Sequence, residues 1–451
     1  MNTIKPDYSS VHDWEFYASA LPDEYTQCID EGLDIEQYKP LFDEIAKLPK
    51  DEIKKKLGDV IFEIVSNARP RPDYKYNEPS DPDGIKALLR GSPIRGDVNP
   101  DTLFDKIHGA WVGRIVGCML GKTVEGIRTN ELIPFLKETG NFPLHRYIYR
   151  SDLTDEICDK YKFSFRHTVY ADEIDGMPVD DDTNYVILAQ LIVDRYGKEF
   201  TPDNVAKIWL DSQNRNAYCT AERVAFRNLS SGYTPPFSAV YKNPYREWIG
   251  AQIRGDYFGY INPGNPEKAA ETAWRDASIS HIKNGIYGEM FISAMIASAA
   301  VESSTEKIIQ SGLAQIPYTS RLYEAVSKVI DMHRSGTPKT ECFDCIHSLF
   351  DEYTGYGWCH TIPNAMIVTA SLLYGEGDFG KSICMAVETG FDTDCNGATV
   401  GSILGMANGI DGISEYWQKP INNTLHTSVF GVGTVRITDK VRETIEHIKM
   451  K

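Results

Sequence analysis

The sequence predicts an all-α protein, and three observations carry that expectation. Apolar residues recur at helical spacing through most of the chain. Strand signals are confined to two short stretches, 146–149 and 431–437. Glycine recurs every fourth residue at Gly109, Gly113, Gly117 and Gly121, and again at Gly397, Gly401, Gly405 and Gly409. Four-residue spacing lays each set along one face of a helix.

Taken in order, residues 1 to about 68 read as amphipathic helices. Leu41, Ile45 and Leu48 keep helical spacing, Pro49 interrupts it, and Ile53, Leu57, Ile61 and Ile64 resume it. The stretch 70–84 is rich in Pro and Asp, and 91–100 in Pro and Gly; both read as linkers or extended arms. The sequence therefore divides into an N-terminal helical extension with a Pro-rich linker, 1–100, and a main domain, 101–451. Further helices are expected at 183–196, 284–301, 318–330 and 361–374. Glycine inside a helix costs about 1 kcal/mol relative to alanine. Eight of them call for an offsetting gain, and close approach of two backbones is the natural source.

The 451 residues carry 47 basic and 64 acidic side chains, a formal charge of -17. Such a chain repels phosphate backbones and anionic lipid at long range, which argues against a nucleic-acid binder. The longest apolar stretch, 290–301, is too short to span a bilayer. Nine cysteines and no signal-like N-terminus point to a cytoplasmic protein with reduced thiols. The lone CxxC, Cys342 and Cys345 near His347, reads as one face of a helix rather than a zinc site.

Chemistry concentrates in two acidic clusters. Asp180, Asp181 and Asp182 precede the apolar run Tyr185, Leu188, Ala189, Ile192. One aspartate suffices to cap a helix, and three repel each other unless a cation lies among them. Asp392 and Asp394 crowd the start of the second glycine-striped helix between apolar flanks. Buried carboxylates need a metal, strong hydrogen bonds or a proton. Two such clusters suggest a shared site for a hard divalent cation, Mg²⁺ or Mn²⁺.

Four ordered segments carry a resemblance: GAWVGRIVGCMLGKTVEG (109–126), DDT (181–183), ISHIKNGIYGEMFISAMIASA (279–299) and the stretch 360–409 that contains GFDTDCNG. Together they resemble the ADP-ribosylglycohydrolase family over about 101–412. The resemblance implies an orthogonal all-α bundle with two Mg²⁺ ions in a cleft. It implies hydrolysis of ADP-ribose conjugates, on a protein side chain (arginine-type favoured) or a small molecule. Asp181, Asp182, Asp392 and Asp394 match metal ligands, and Asp180 joins them as a candidate. Glu125 matches a glutamate that gates the site, and His281 a histidine of the ligand cleft. Glu125, Asp181 and Asp394 are the candidate catalytic residues. Two positions depart from the family pattern: Asp180 replaces a Thr or Ser, and Cys395 replaces a hydroxyl that ligates metal. Other readings are a non-catalytic structural or binding relative, and a hydrolase of another ribosyl metabolite.

Gly117 and Gly121 are candidates to cradle a diphosphate through backbone N–H groups. Trp358 and Tyr257 are candidates to stack on adenine, and Glu289, inside an apolar helix, is expected to pair with an arginine.

Overall fold

The computed structural model describes residue 4 and residues 6–161 and 169–450. The start of the expected helical stretch 1–68 thus lies outside the described residues in part. The described chain is helical, with two short strands, Thr424–His426 and Thr434–Arg436, paired antiparallel. The strand expected at 431–437 corresponds to the second of these. The one expected at 146–149 does not form. There the backbone turns onto Asp152, which accepts from the Tyr149 N–H at 2.9 Å and pairs with Arg146 at 2.7 Å.

The centre of the molecule is the contact between the helices Pro100–Lys122 and Thr393–Asn408. Asn99 caps the first by accepting from the Asp101 N–H, and Pro100 occupies its first turn, where a missing N–H costs nothing. The two helices run antiparallel with their glycine faces together. Gly113 meets Gly401, Gly117 meets Gly397, and Gly109 meets Gly405. A Cβ on any of these would lie closer than 3.0 Å to the opposite backbone carbonyl. The backbones therefore touch, in the manner of helix contacts that bring Cα–H groups onto carbonyls. Seven of the eight glycines lie inside the two helices. Gly409 instead ends the second, with φ of 74°.

Around this pair the sequence's helices fall into place. Asp181–Tyr196 begins at its Asp180 cap and stops at Gly197. Lys283–Ala299 is buried on all sides, and Thr361–Tyr374 spans the expected residues. Residues 8–66 form three helices, Leu21–Asp30, Lys39–Lys47 and Glu52–Ser66, over a small core of their own that includes Leu21, Phe42 and Ile61. A buried set of ion pairs fixes them to the rest. Arg246 meets Glu24 at 3.0 Å and Glu31 at 2.6 Å, and Lys283 meets Glu31 at 2.5 Å; Arg321, bridging Glu78 and Glu247, holds the arm that follows. All nine cysteines are free, and Cys342 is buried on the helix Lys339–Leu349. Among the described residues no helix is long and apolar enough to cross a membrane.

The glycine contact makes a sharp prediction. Gly401→Ala adds one methyl against the Gly113 carbonyl, where only backbone could yield. We expect a destabilisation of about 1–3 kcal/mol or more, read as a lower melting temperature. Since alanine is the better helix former, a wild-type or raised melting temperature would contradict the contact.

Candidate metal centre

The antiparallel crossing brings the end of the first striped helix to the start of the second. Gly121 lies against the backbone of Thr393 and Asp394, and the Thr393 hydroxyl donates to the Gly121 carbonyl at 2.9 Å. Lys122, Glu125 and the second acidic cluster are thereby neighbours. The first cluster arrives from the helix Asp181–Tyr196. Arg114, fully buried, donates to the Asp182 carbonyl at 2.7 Å and to its carboxylate at 2.9 Å, and its other terminal nitrogen pairs with Asp256 at 2.9 Å. A buried guanidinium held by two carboxylates is a fixed post for the start of that helix.

Ligand atoms of Asp180, Asp181, Asp182 and Asp394 all lie within 4.8 Å of one another, and so do those of Asp182, Asp394 and Cys395. Asp392 stands outside these tight groupings but lines the same cavity, together with Glu125, Asp181, Asp394 and Cys395. The structure therefore gathers both acidic clusters at one place. It also separates their tasks. Asp180 accepts the Asp182 N–H at 2.8 Å with one oxygen and pairs with Lys122 at 2.6 Å with the other. Asp182 is engaged by Arg114 and by the Cys395 thiol, which donates to its second oxygen at 3.1 Å. Asp394 Oδ1 is buried and has no hydrogen-bond partner among the described residues.

The electrostatics arise from this crowding. Six carboxylates, those of Glu125, Asp180, Asp181, Asp182, Asp392 and Asp394, are answered by fewer cations: Lys122, the shared Arg114, and Arg128 near Glu125 and Asp392. Burial, reinforced by Asp180, pushes Asp181 up to about 7 and Asp394 up to about 6. Burial and then Asp394 raise Asp392, while for Glu125 the Asp394 charge is the first cause and burial the second. Burial also raises the Cys395 thiol, which stays protonated. Hard oxygen donors, an orphaned buried carboxylate oxygen and unbalanced negative charge fit a divalent cation of the Mg²⁺ type. The thiol is the one poor ligand in the set.

The cavity, about 370 Å³, is walled on its other parts by Trp14, Asp23, Tyr245, Trp248 and Trp358, with Glu222 beside them. Arg128 lies over the Trp358 ring, 4.2 Å from its centre. Trp358 is thus on the wall, but Tyr257 is not. It is buried, with its hydroxyl 2.6 Å from His447 Nδ1.

Three other expected placements are corrected. Gly117 and Gly121 sit within the helix against the second striped helix, so their N–H groups serve the helix and their faces meet backbone; they cannot cradle a diphosphate. His281 is fully buried behind the wall, its Nδ1 2.8 Å from the Ser280 hydroxyl and its Nε2 4.0 Å from Glu222. Burial and then Arg254 lower its pKa well below the usual value, as suits a neutral packing group. Glu289 pairs with Arg254 at 3.7 Å, as expected. Glu222, Asp23 and Trp14 carried no motif, nor did Arg128. Only the fold brings the first three to the cavity and Arg128 onto Trp358.

The charge balance sets the response to pH and to metal. Unfolded aspartate titrates near 4, so the folded metal-free protein holds more protons than the unfolded chain between about pH 4 and pH 7. Its stability must fall as pH rises through that window. The melting temperature in chelator is expected to drop from about pH 5 to about pH 8, with Mg²⁺ restoring it at the higher pH. A rise over the same interval would mean that the carboxylates are paired rather than crowded. Separately, Cys395→Thr exchanges a soft sulfur for a hard oxygen. Calorimetry should report tighter Mg²⁺ binding, and unchanged affinity would place residue 395 outside the coordination shell.

Residues 99–447 match the profile of the family described as ADP-ribosylglycohydrolase. Among curated proteins none matches. A solved structure described as an "ADP-ribosylglycohydrolase-related protein complex" aligns with a TM-score of 0.49 at 17% identity, over 77% of this chain and 98% of its own. The family is metal-dependent and of glycohydrolase type, and with the profile running from the first striped helix to the last helix, this chain belongs to the ADP-ribosylglycohydrolase family.

Proposed function

We propose that this chain is a hydrolase that uses two Mg²⁺ ions, with Mn²⁺ as a substitute, to cleave the glycosidic bond of an ADP-ribose conjugate. The observation that carries the reading is the convergence of Glu125, Asp181, Asp392 and Asp394 at one cavity, with Asp180 and Asp182 close behind and Asp394 Oδ1 buried and unpartnered among the described residues. Asp181, Asp182, Asp392 and Asp394 would hold the ions, with Asp180 steadied by Lys122 behind them. Bound there, such ions would orient ribose hydroxyls and activate water.

The protein's own groups supply the rest. Cleavage at an anomeric carbon passes through an oxocarbenium-like state. Carboxylates on the cavity wall stabilise that positive charge. Glu125 lies half-buried just past the first striped helix. The Asp394 charge and then burial raise its proton affinity, which suits it to give a proton to the departing atom. Asp181 and Asp394 line the cavity and are the candidates to accept a proton from the attacking water. Arg128, stacked on Trp358, offers the guanidinium that a diphosphate needs. A structural descendant without catalysis has no reason to keep this many crowded carboxylates.

The test is a release assay with Mg²⁺ on arginine-linked, serine-linked and small-molecule ADP-ribose conjugates in parallel. At least one is expected to be cleaved, with activity lost in chelator and regained with Mg²⁺ or Mn²⁺. Asp394→Asn should lower kcat by about a hundredfold or more while the protein stays folded. Full activity in metal-stripped protein, or no release from any conjugate by a folded, Mg²⁺-loaded sample, would overturn the reading.

A further inference from the structure

The family match begins at residue 99, yet two side chains of the preceding segment stand on the cavity wall, Trp14 and Asp23. Trp14 packs with Trp358 on the cluster that holds Tyr245 and Trp248. Asp23 comes from the first turn of the helix Leu21–Asp30. Its neighbours on that helix are all engaged. Glu24 pairs with Arg246, Gln27 donates to Glu247 at 2.6 Å, and Asp30 accepts from the Tyr356 hydroxyl at 2.7 Å. Asp23 is half-buried and, among the described residues, makes no hydrogen bond or ion pair. The ion pairs of Glu24 and Glu31 hold the helix rigidly, so this carboxylate is presented to the cavity in a fixed place.

We propose that the N-terminal segment builds a subsite for the leaving group, in which Trp14, Tyr245, Trp248 and Trp358 wall a pocket and Asp23 receives a small cationic group, a guanidinium or an ammonium. The chemistry is that of aromatic faces and one carboxylate around a cation. The lining residues include no Lys, Arg or His among the described residues, and Arg128, which stacks on Trp358, makes no ion pair with Asp23. An unpaired, half-buried carboxylate is costly; burial and then Glu24 already push its pKa up to about 6. A ligand cation removes that cost. A neutral leaving group would stack on the same aromatics and leave Asp23 unanswered. The assignment of this pocket to the leaving group rests on the glycosidic cleavage proposed above; its preference for a cation rests on the pocket alone.

The experiment is calorimetric titration of the full chain, in saturating Mg²⁺, with agmatine and with its uncharged analogue butylurea. Agmatine is expected to bind at least tenfold more tightly than butylurea. Asp23→Asn should abolish that preference without lowering the melting temperature, since Asp23 holds no partner and its buried charge is a cost. Trp14→Ala should weaken both probes. Absence of agmatine binding, equal affinity for the two probes, or agmatine binding unaffected by Asp23→Asn would each overturn the proposal. No turnover is needed, so this outcome stands apart from the release assay.

Discussion

Everything in this protein depends on two helices that touch through their backbones. The glycines of Pro100–Lys122 and Thr393–Asn408 forgo helix propensity over seven positions, a cost of about 7 kcal/mol summed at about 1 kcal/mol each. What offsets it is an approach that no side chain permits, with the carbonyls of one helix against the Cα atoms of the other. Because the crossing is antiparallel, it has a chemical consequence. It places the end of one helix, with Lys122 and Glu125, against the start of the other, with Asp392, Asp394 and Cys395. A looser or parallel pairing would scatter those groups.

The second constraint is charge. Arg114 projects from the first striped helix and grips Asp182 by backbone and side chain, so the helix that carries the first acidic cluster is positioned by the same element. Lys122 answers Asp180. Those two cations leave the remaining carboxylates crowded and drive their proton affinities upward. Such a site is costly when empty and fully ionised, and its oxygen donors could hold a hard divalent cation.

Much of this was legible in the sequence. Four-residue glycine spacing means backbone contact whatever the family, and adjacent aspartates ahead of an apolar run mean a charged helix start. Both survive translation into three dimensions because they are local patterns on single helices. The failures share the opposite character. His281 reads as a cleft residue until its burial behind Glu222 is seen. Gly117 and Gly121 read as a phosphate cradle until the second helix covers them. Segment 146–149 has strand-forming residues but no strand to pair with, and Asp152 takes its hydrogen bonds instead. Trp14 and Asp23 are separated from the second acidic cluster by more than three hundred residues, and nothing local marks either. Their place depends on Arg246, Lys283 and Arg321 answering glutamates of the N-terminal segment.

The central claim is that the glycine contact assembles one carboxylate site for two divalent ions. Anomalous diffraction from crystals grown with Mn²⁺ addresses it directly. The account predicts two peaks bounded by Asp181, Asp182, Asp392 and Asp394, beside the junction of the two striped helices. Peaks confined to other acidic surface groups, or none within this carboxylate set at saturating Mn²⁺, would contradict it.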